Sequence, residues 1–359
     1  MLQTPFHQFH IDLKAKMANF AGYDMPIYYS GLAQEHVEVR NRVGVFDVSH
    51  MGEFLIKGAH ALELIQKVCT NDANKLKNGK AQYSCFTNEN GGILDDLLIY
   101  CIEYNALYLL VVNASRIEAD WAWINKNNTM GAALEDISIN TALLAIQGPQ
   151  AIELLAPHCN FNLKSLPYYQ FVMTEFLGIE KVLISNTGYT GAGGVEIYFR
   201  NESQHVNKIW NFLREDLAIA PIGLGARDSL RLEKGFSLYG HEINEDTNPL
   251  EAGLGWIVNF NKDFIGKESL QNIKQQGLER KIVGLKLNDM RFIPRQGFDI
   301  CNAAGNKIGT ITSGGLSHCL KLPIALGYVP LSETQIDNEV FISIRQQLVP
   351  AKVVALPFL

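Results

Sequence analysis

The sequence has no apolar run approaching the ~18 residues that a membrane-crossing helix needs, so no such helix is expected. It also lacks paired cysteines. Cys69, Cys85, Cys101, Cys159, Cys301 and Cys319 are scattered, with no Cys-x-x-Cys pair among them. That argues against a zinc ribbon, a thioredoxin-like site and a disulfide framework, and most of the six read as small buried apolar residues. The histidines supply no His-Glu-x-x-His or comparable ligand set, so no metal is expected. An excess of basic residues is missing too. The formal net charge of −6 speaks against nucleic acid as a partner, while leaving room for a local basic pocket. The segment Met1–Lys16 places Asp12 and Lys14 where a signal peptide would need an apolar core, and it is not Arg-rich like a transit peptide. A cytoplasmic location is the simplest expectation.

What is present is ordinary for a folded chain. Of 359 residues, 47% are hydrophobic and 19% charged. At on the order of 150 residues per domain, this length predicts two or three domains. There is no internal repeat or low-complexity linker. Short runs rich in Val, Ile, Leu, Tyr and Phe, bounded by Gly, Asn or Asp, predict strands at Asp95–Ile102, Leu107–Asn113, Thr141–Ile146, Lys181–Ser185 and Gly194–Phe199. Later strands are predicted at Trp256–Phe260, Ile282–Leu287, Lys307–Thr312, Glu339–Ile344 and Pro350–Ala355. Helical spacing or turn signals predict helices at Ser115–Lys126, Pro149–Ala156, Ser203–Arg214 and Ala226–Lys234, the last ending at Gly235. The final ~80 residues read as strand and turn, hence a separate β domain in a mixed α+β architecture.

Three segments offer chemistry. In Asn90-Gly-Gly-Ile-Leu-Asp-Asp-Leu-Leu-Ile-Tyr100, a glycine turn leads into a strand. Alternation puts Asp96, Leu98 and Tyr100 on one face. An acid, an aliphatic and a phenol suit a planar polar heterocycle. On this segment alone, acids that merely close a turn are the favoured reading. In Thr187-Gly-Tyr-Thr-Gly-Ala-Gly-Gly-Val-Glu-Ile-Tyr-Phe199 the glycines allow close backbone approach. No Gly-Lys-Ser/Thr follows, and Glu196 stands where Gly-x-Gly-x-x-Gly would end, so a phosphate cradle is not expected. Glu196 could accept two N–H bonds from an aminopyrimidine-type ring, or it could be a solvated residue on a hairpin. In Gly223-Leu-Gly-Ala-Arg-Asp-Ser-Leu-Arg-Leu-Glu-Lys-Gly235, Arg227 and Arg231 share a helix face. Arg231 reads as part of an internal salt-bridge network with Asp228 and Glu233. Arg227, nearest the glycine entry, reads as a site residue.

These pieces, with Gly22-Tyr-Asp-Met-Pro26, Arg42-Val-Gly-Val-Phe-Asp-Val-Ser-His-Met-Gly-Glu53, Gln147-Gly-Pro149, Leu238-Tyr-Gly240, Asn248-Pro249 and Gly309-Thr-Ile-Thr-Ser-Gly314, stand in one order along the whole chain. In that order they resemble the aminomethyltransferases, the T-proteins of glycine cleavage. The resemblance implies an α+β fold of three domains in a cloverleaf-like arrangement around a central folate channel, with a C-terminal β-barrel. The implied domains are 1–50 with 136–245, 51–135 with 246–275, and 276–359. It implies Asp96 as the catalytic carboxylate, Leu98 and Tyr100 lining the channel, and Tyr83 stacking on a ring. Glu196 and Arg227 would hold the pterin, and Tyr239 is a further candidate.

The implied reaction moves a one-carbon unit from the aminomethyl-lipoyl arm of H-protein to tetrahydrofolate. Tetrahydrofolate is then the acceptor substrate, with no metal. Lipoylated H-protein, glycine decarboxylase and dihydrolipoyl dehydrogenase are the implied partners. The chain departs from the family pattern at Ala192, at His241 and over Ser317-His-Cys-Leu-Lys321, where local loop geometry is put in question. A folate-dependent demethylase of the same fold is the first rival, although such enzymes are commonly fused to a flavin oxidase domain. A folate-binding accessory protein is the second. It would carry Lys-Gly-Cys-aromatic where this chain has Lys234-Gly-Phe-Ser237.

Overall fold

The computed structural model describes all 359 residues. The chain forms two compact units. The first comprises Met1–Lys67, Ala73–Tyr83 and Leu97–Asp228; the second comprises Val68–Asp72, Ser84–Asp96 and Ser229–Leu359.

The first unit holds a six-stranded sheet. Its spatial order is Phe171–Phe176, Ile179–Ser185, Gly194–Arg200, Thr141–Gln147, Gly44–Asp47 and the two-residue strand Ala220–Pro221. All neighbours are antiparallel except the last pair. Val195, Ile197 and Phe199 point to one face, as alternation requires, and join Val45, Leu144 and Ile146 in a common core. Helix Ser203–Asn211 covers them with Val206, Ile209 and Trp210. The helix expected over Ser203–Arg214 loosens at Phe212 into one π-turn, Phe212–Asp216. The helix expected over Ser115–Lys126 starts at Ile117, after a 3-10 turn at Ala114–Arg116.

A second, five-stranded sheet runs in the order Lys80–Thr87, Ile93–Glu103, Leu107–Val112, Gly52–Lys57, Ala133–Asp136. Leu98 lies opposite Val111, and Val111 opposite Glu53. Tyr100 lies opposite Leu109, and Leu109 opposite Leu55. Directly opposed residues share a face, so Leu98, Tyr100, Glu53 and Leu55 project to the same side.

The second unit contains a closed barrel of six antiparallel strands. In order around it are Arg280–Leu287, Leu322–Pro330, Lys307–Ser317, Asp299–Cys301, Glu339–Ile344 and Gln347–Val354, the last pairing with the first. Leu285, Leu287, Ile300, Ile311, Val340 and Ile342 are among the buried residues of its core. The strand-rich C-terminal domain expected from sequence is this barrel. One predicted strand is absent: Trp256–Phe260 begins in a 3-10 turn, Gly255–Ile257. Its amides are spent locally, Ile257 on Leu254 O and Val258 on Gly255 O, and Trp256 is exposed, so alternating apolar composition has no ladder to join.

Candidate functional site

In the first unit the glycine-rich run 187–194 is clamped from several sides. Gln147 donates Nε2 to the carbonyls of Thr187 (3.2 Å) and Val195 (3.3 Å), and its Oε1 accepts from Thr190 Oγ1 at 2.8 Å. Arg40 Nη1 donates to Thr190 O at 2.5 Å. A Cβ at Gly188 would lie 2.0 Å from Gln147 Oε1, and one at Gly194, whose φ is +122°, would lie 2.3 Å from Ile146 O. Glycine is required there by close approach.

The clamp delivers Glu196, which is half-buried and not a solvated hairpin residue. Thr187 Oγ1 donates to Glu196 Oε2 at 2.5 Å. Tyr100 OH lies 3.1 Å from the same threonine hydroxyl and 3.0 Å from Tyr198 OH, and Ser185 Oγ lies 2.8 Å from Thr187 Oγ1. Burial raises the Glu196 carboxyl above its ordinary range, while the Thr187 hydroxyl and the Arg227 charge pull it back. Arg227 itself stacks its guanidinium 4.4 Å over the Tyr189 ring. It sits in helix Leu224–Glu233, which starts after Gly223. The Gly223 amide donates to Glu35 Oε2 at 2.8 Å, and a Cβ at Gly223 would lie 2.2 Å from Ile27 O. Tyr100 is fully buried against Phe171 and Tyr198, at ring distances of 5.3 and 5.6 Å. Tyr83 and Leu98 are half-buried. Tyr100, Glu196 and Arg227 are thus assembled through Thr187, Tyr198 and Tyr189, none of them among the site residues expected from sequence. The signal available for them was their place in the same glycine-rich run and strand.

Asp96 and Tyr239 belong to the second unit. Asp95 is fully buried and Asp96 half-buried, the alternation expected of the strand. The turn before them is anchored: Asn88 Oδ1 accepts from the Gly92 amide (2.9 Å), and the Ile93 amide donates to Thr247 O (2.9 Å). A Cβ at Gly92 would lie 1.8 Å from Glu245 O. Burial pushes the Cys85 thiol well up, with the charges of Asp96 and Asp95 adding to it. Tyr239 sits in a turn closed by the Gly240 amide on Ile243 O at 2.8 Å.

Arg231 is internal, as expected, but the carboxylate it meets at 2.7 Å is Glu242, from beyond the helix. The departures from the family pattern have local partners. The Ala192 amide donates to Thr190 Oγ1 (3.2 Å), His241 Nδ1 lies 3.2 Å from Ser313 Oγ, and the Cys319 amide donates to Glu233 Oε1 (3.2 Å).

Known proteins share the fold. Residues 6–262 match the GCVT N-terminal domain, and residues 280–359 match the glycine cleavage T-protein C-terminal barrel domain. An aminomethyltransferase of Flavobacterium psychrophilum is 52% identical over 361 residues, covering 100% of this chain and 99% of that protein. An aminomethyltransferase of Halothermothrix orenii is 45% identical, with 100% of both chains covered. The crystal structure of glycine cleavage system aminomethyltransferase T from Bartonella henselae superposes with a TM-score of 0.93 at 34% identity, covering 100% of this chain and 98% of that one. The demethylase and accessory-protein readings are not favoured by these relatives. The chain belongs to the glycine cleavage T-protein family of aminomethyltransferases.

Proposed function

We propose that the chain takes the one-carbon unit of an aminomethyl group borne on the lipoyl arm of H-protein and passes it to tetrahydrofolate. Ammonia, 5,10-methylenetetrahydrofolate and the dihydrolipoyl carrier leave. The observation that carries this reading is Glu196, a half-buried carboxylate held by Thr187 and under the charge of Arg227 beside the edge-packed rings of Tyr100 and Tyr198. A carboxylate so fixed accepts paired N–H bonds from an aminopyrimidine edge. Arg227 supplies a planar donor fork, and Tyr83, Leu98, Tyr100 and Tyr239 supply flat contact. Asp96 is the catalytic carboxylate: loss of ammonia leaves an iminium-like carbon that a folate nitrogen attacks, and Asp96 stabilises the charge or moves a proton.

Glycine decarboxylase and dihydrolipoyl dehydrogenase complete the cycle around the same carrier. No helix is long and apolar enough to cross a membrane. A cytoplasmic setting is part of the proposal, and six cysteines with no disulfide among them suit a reducing compartment. The proposal divides the chain into domains 1–50 with 136–245, 51–135 with 246–275, and 276–359.

The test is methylenetetrahydrofolate formation from H-protein loaded with an aminomethyl group, with and without tetrahydrofolate. Folate-dependent turnover at rates typical of enzymes, on the order of 1–1000 per second, is expected. Absence of product with a competent carrier would overturn the reading.

A further inference from the structure

Two polar side chains of the first unit stand outside the site as described, and neither has the partners its burial calls for. Glu53 and His50 are each 1% exposed. Glu53 Oε2 and His50 Nδ1 have no hydrogen-bond partner in the protein. Buried polar atoms are nearly always bonded, so each of these asks for an explanation. Their location supplies one. Glu53 projects from the same sheet face as Leu98 and Tyr100, two strands and so ~10 Å across from Leu98. It bears electrostatically on Tyr198, whose hydroxyl lies 3.0 Å from that of Tyr100. It also bears on Tyr23, whose ring lies 6.3 Å from the His50 ring. His50 in turn feels the Arg227 charge and packs edge-on against Phe20 at 5.3 Å. Glu53 thus shares the face that carries Tyr100, and His50 lies within electrostatic reach of Arg227.

We propose that Glu53 and His50 form a second polar contact for the pterin ring, with Glu53 Oε2 and His50 Nδ1 hydrogen-bonded to polar atoms of that heterocycle. The inference rests on the folate reading above. The chemistry favours an uncharged ring over the aminomethyl cation. Burial holds the Glu53 carboxyl well above its ordinary range, with the Asp136 charge adding to it, and lowers His50 to about 4. The His50 imidazole is therefore neutral near pH 7, and burial disfavours charge on Glu53. A protonated carboxyl offers one donor and an acceptor, and a neutral imidazole one of each. That set complements a heterocycle whose edge alternates donors and acceptors, whereas a cation would call for a charged carboxylate.

The experiment is calorimetric titration of the full chain with 5-methyltetrahydrofolate, a folate that cannot accept the one-carbon unit. E53L is expected to weaken binding about tenfold or more, the loss of one bond to a buried group. The Tm of the free protein should hold or rise, because an orphaned polar atom is removed. E53Q, which keeps a donor and an acceptor, should bind within about threefold of wild type. The KM for loaded H-protein should not move in either variant. H50F, which keeps a ring against Phe20, carries the same expectation as E53L and serves if E53L does not fold. Wild-type affinity in both E53L and H50F would overturn the inference while leaving the folate reading intact. Equal losses of Tm and affinity in E53L and E53Q would assign Glu53 a structural role instead. Failure of wild type to bind the probe at all would instead sink the folate reading, and this inference with it.

Discussion

Two sets of fully buried ionisable side chains, one in each unit, are met in opposite ways, although Glu35 and Asp47 of the first unit are as well partnered as any. In the second unit Arg231, Glu242 and Glu233 are all fully buried, and their polar atoms find protein partners. Arg231 reaches Glu242 Oε2 (2.7 Å), Phe236 O (3.0 Å) and Ser313 Oγ (2.7 Å). Glu242 also accepts from Thr312 Oγ1 (2.7 Å) and the Leu238 amide (3.0 Å). Glu233 Oε1 accepts from Ser317 Oγ at 2.6 Å. In the first unit Glu53 and His50 are as deeply buried yet keep an orphaned atom each. A satisfied network fixes one arrangement of the chain. An unsatisfied group is a stability cost that persists where a ligand can meet it. The same burial therefore goes with scaffold around Arg231 and, under the proposal above, with a ligand contact at Glu53 and His50.

The largest effect should come from Asp96, the carboxylate proposed to act in the reaction. D96N is expected to lower kcat by about a hundredfold to ten-thousandfold while binding 5-methyltetrahydrofolate nearly as wild type does. Single-turnover assays beside a binding titration separate the two quantities. Turnover near that of wild type would remove the need for a charge at Asp96. In the scaffold, R231A should cost about 3–5 kcal/mol in urea unfolding, because it leaves Glu242 buried and without its counter-charge. R231M/E242L, which removes both charges, should recover much of that loss. A single mutant as stable as wild type would break the contrast between the units.

A smaller effect, specific to the first unit, follows from His50. Its folded-state value of about 4 lies below the usual 6.5, because burial and the Arg227 charge disfavour the proton, while Asp47 opposes them. The unfolded chain therefore binds more protons between pH 6.5 and about 4, and stability falls as pH drops through that window. The gap corresponds to about 3 kcal/mol at most. Tm measured from pH 7 to pH 4 should show a steeper acid limb in wild type than in H50F. Parallel curves would mean that His50 is not held neutral by its surroundings.

How far the sequence foretold this depended on whether a partner lay nearby in the chain. Alternation in 95–99 was legible, and the structure repeats it: Asp95, Leu97 and Ile99 are buried, Asp96 and Leu98 half-buried, while Tyr100 is fully buried by its contacts with Phe171 and Tyr198. The helix stop at Gly235 was legible as well, and its φ is +66°. Arg231 was recognisable as internal, but Glu242 and Ser313 reach it from 11 and 82 residues away, beyond any helical spacing. Trp256–Phe260 has strand composition with no neighbour to pair with, and only tertiary structure decides that. Glu53 and His50 stood in a quoted motif without drawing notice. A carboxylate at the head of an alternating strand looks solvated until the face it shares is known.

The smallest effect tests whether exposure, rather than residue type, sets the difference. Arg280 and Glu251, also in the second unit, form another Arg–Glu pair. Nε meets Oε2 at 2.8 Å and Nη2 meets Oε1 at 3.3 Å, with the guanidinium 4.8 Å over the Tyr328 ring. The Arg280 side chain is 44% exposed, where that of Arg231 is 0%. Water reaches the arginine of the first pair, and Glu251, although only 9% exposed, keeps the Asn248 amide at 2.9 Å if the arginine is lost. R280A should therefore cost no more than about 1 kcal/mol, and the cost should shrink between about 0.05 M and 1 M salt. The R231A cost should not respond to salt in that way, because its ion pair lies beyond the reach of screening counter-ions. Equal costs for the two substitutions, or the same salt response, would show that geometry common to both pairs governs their worth and that burial does not.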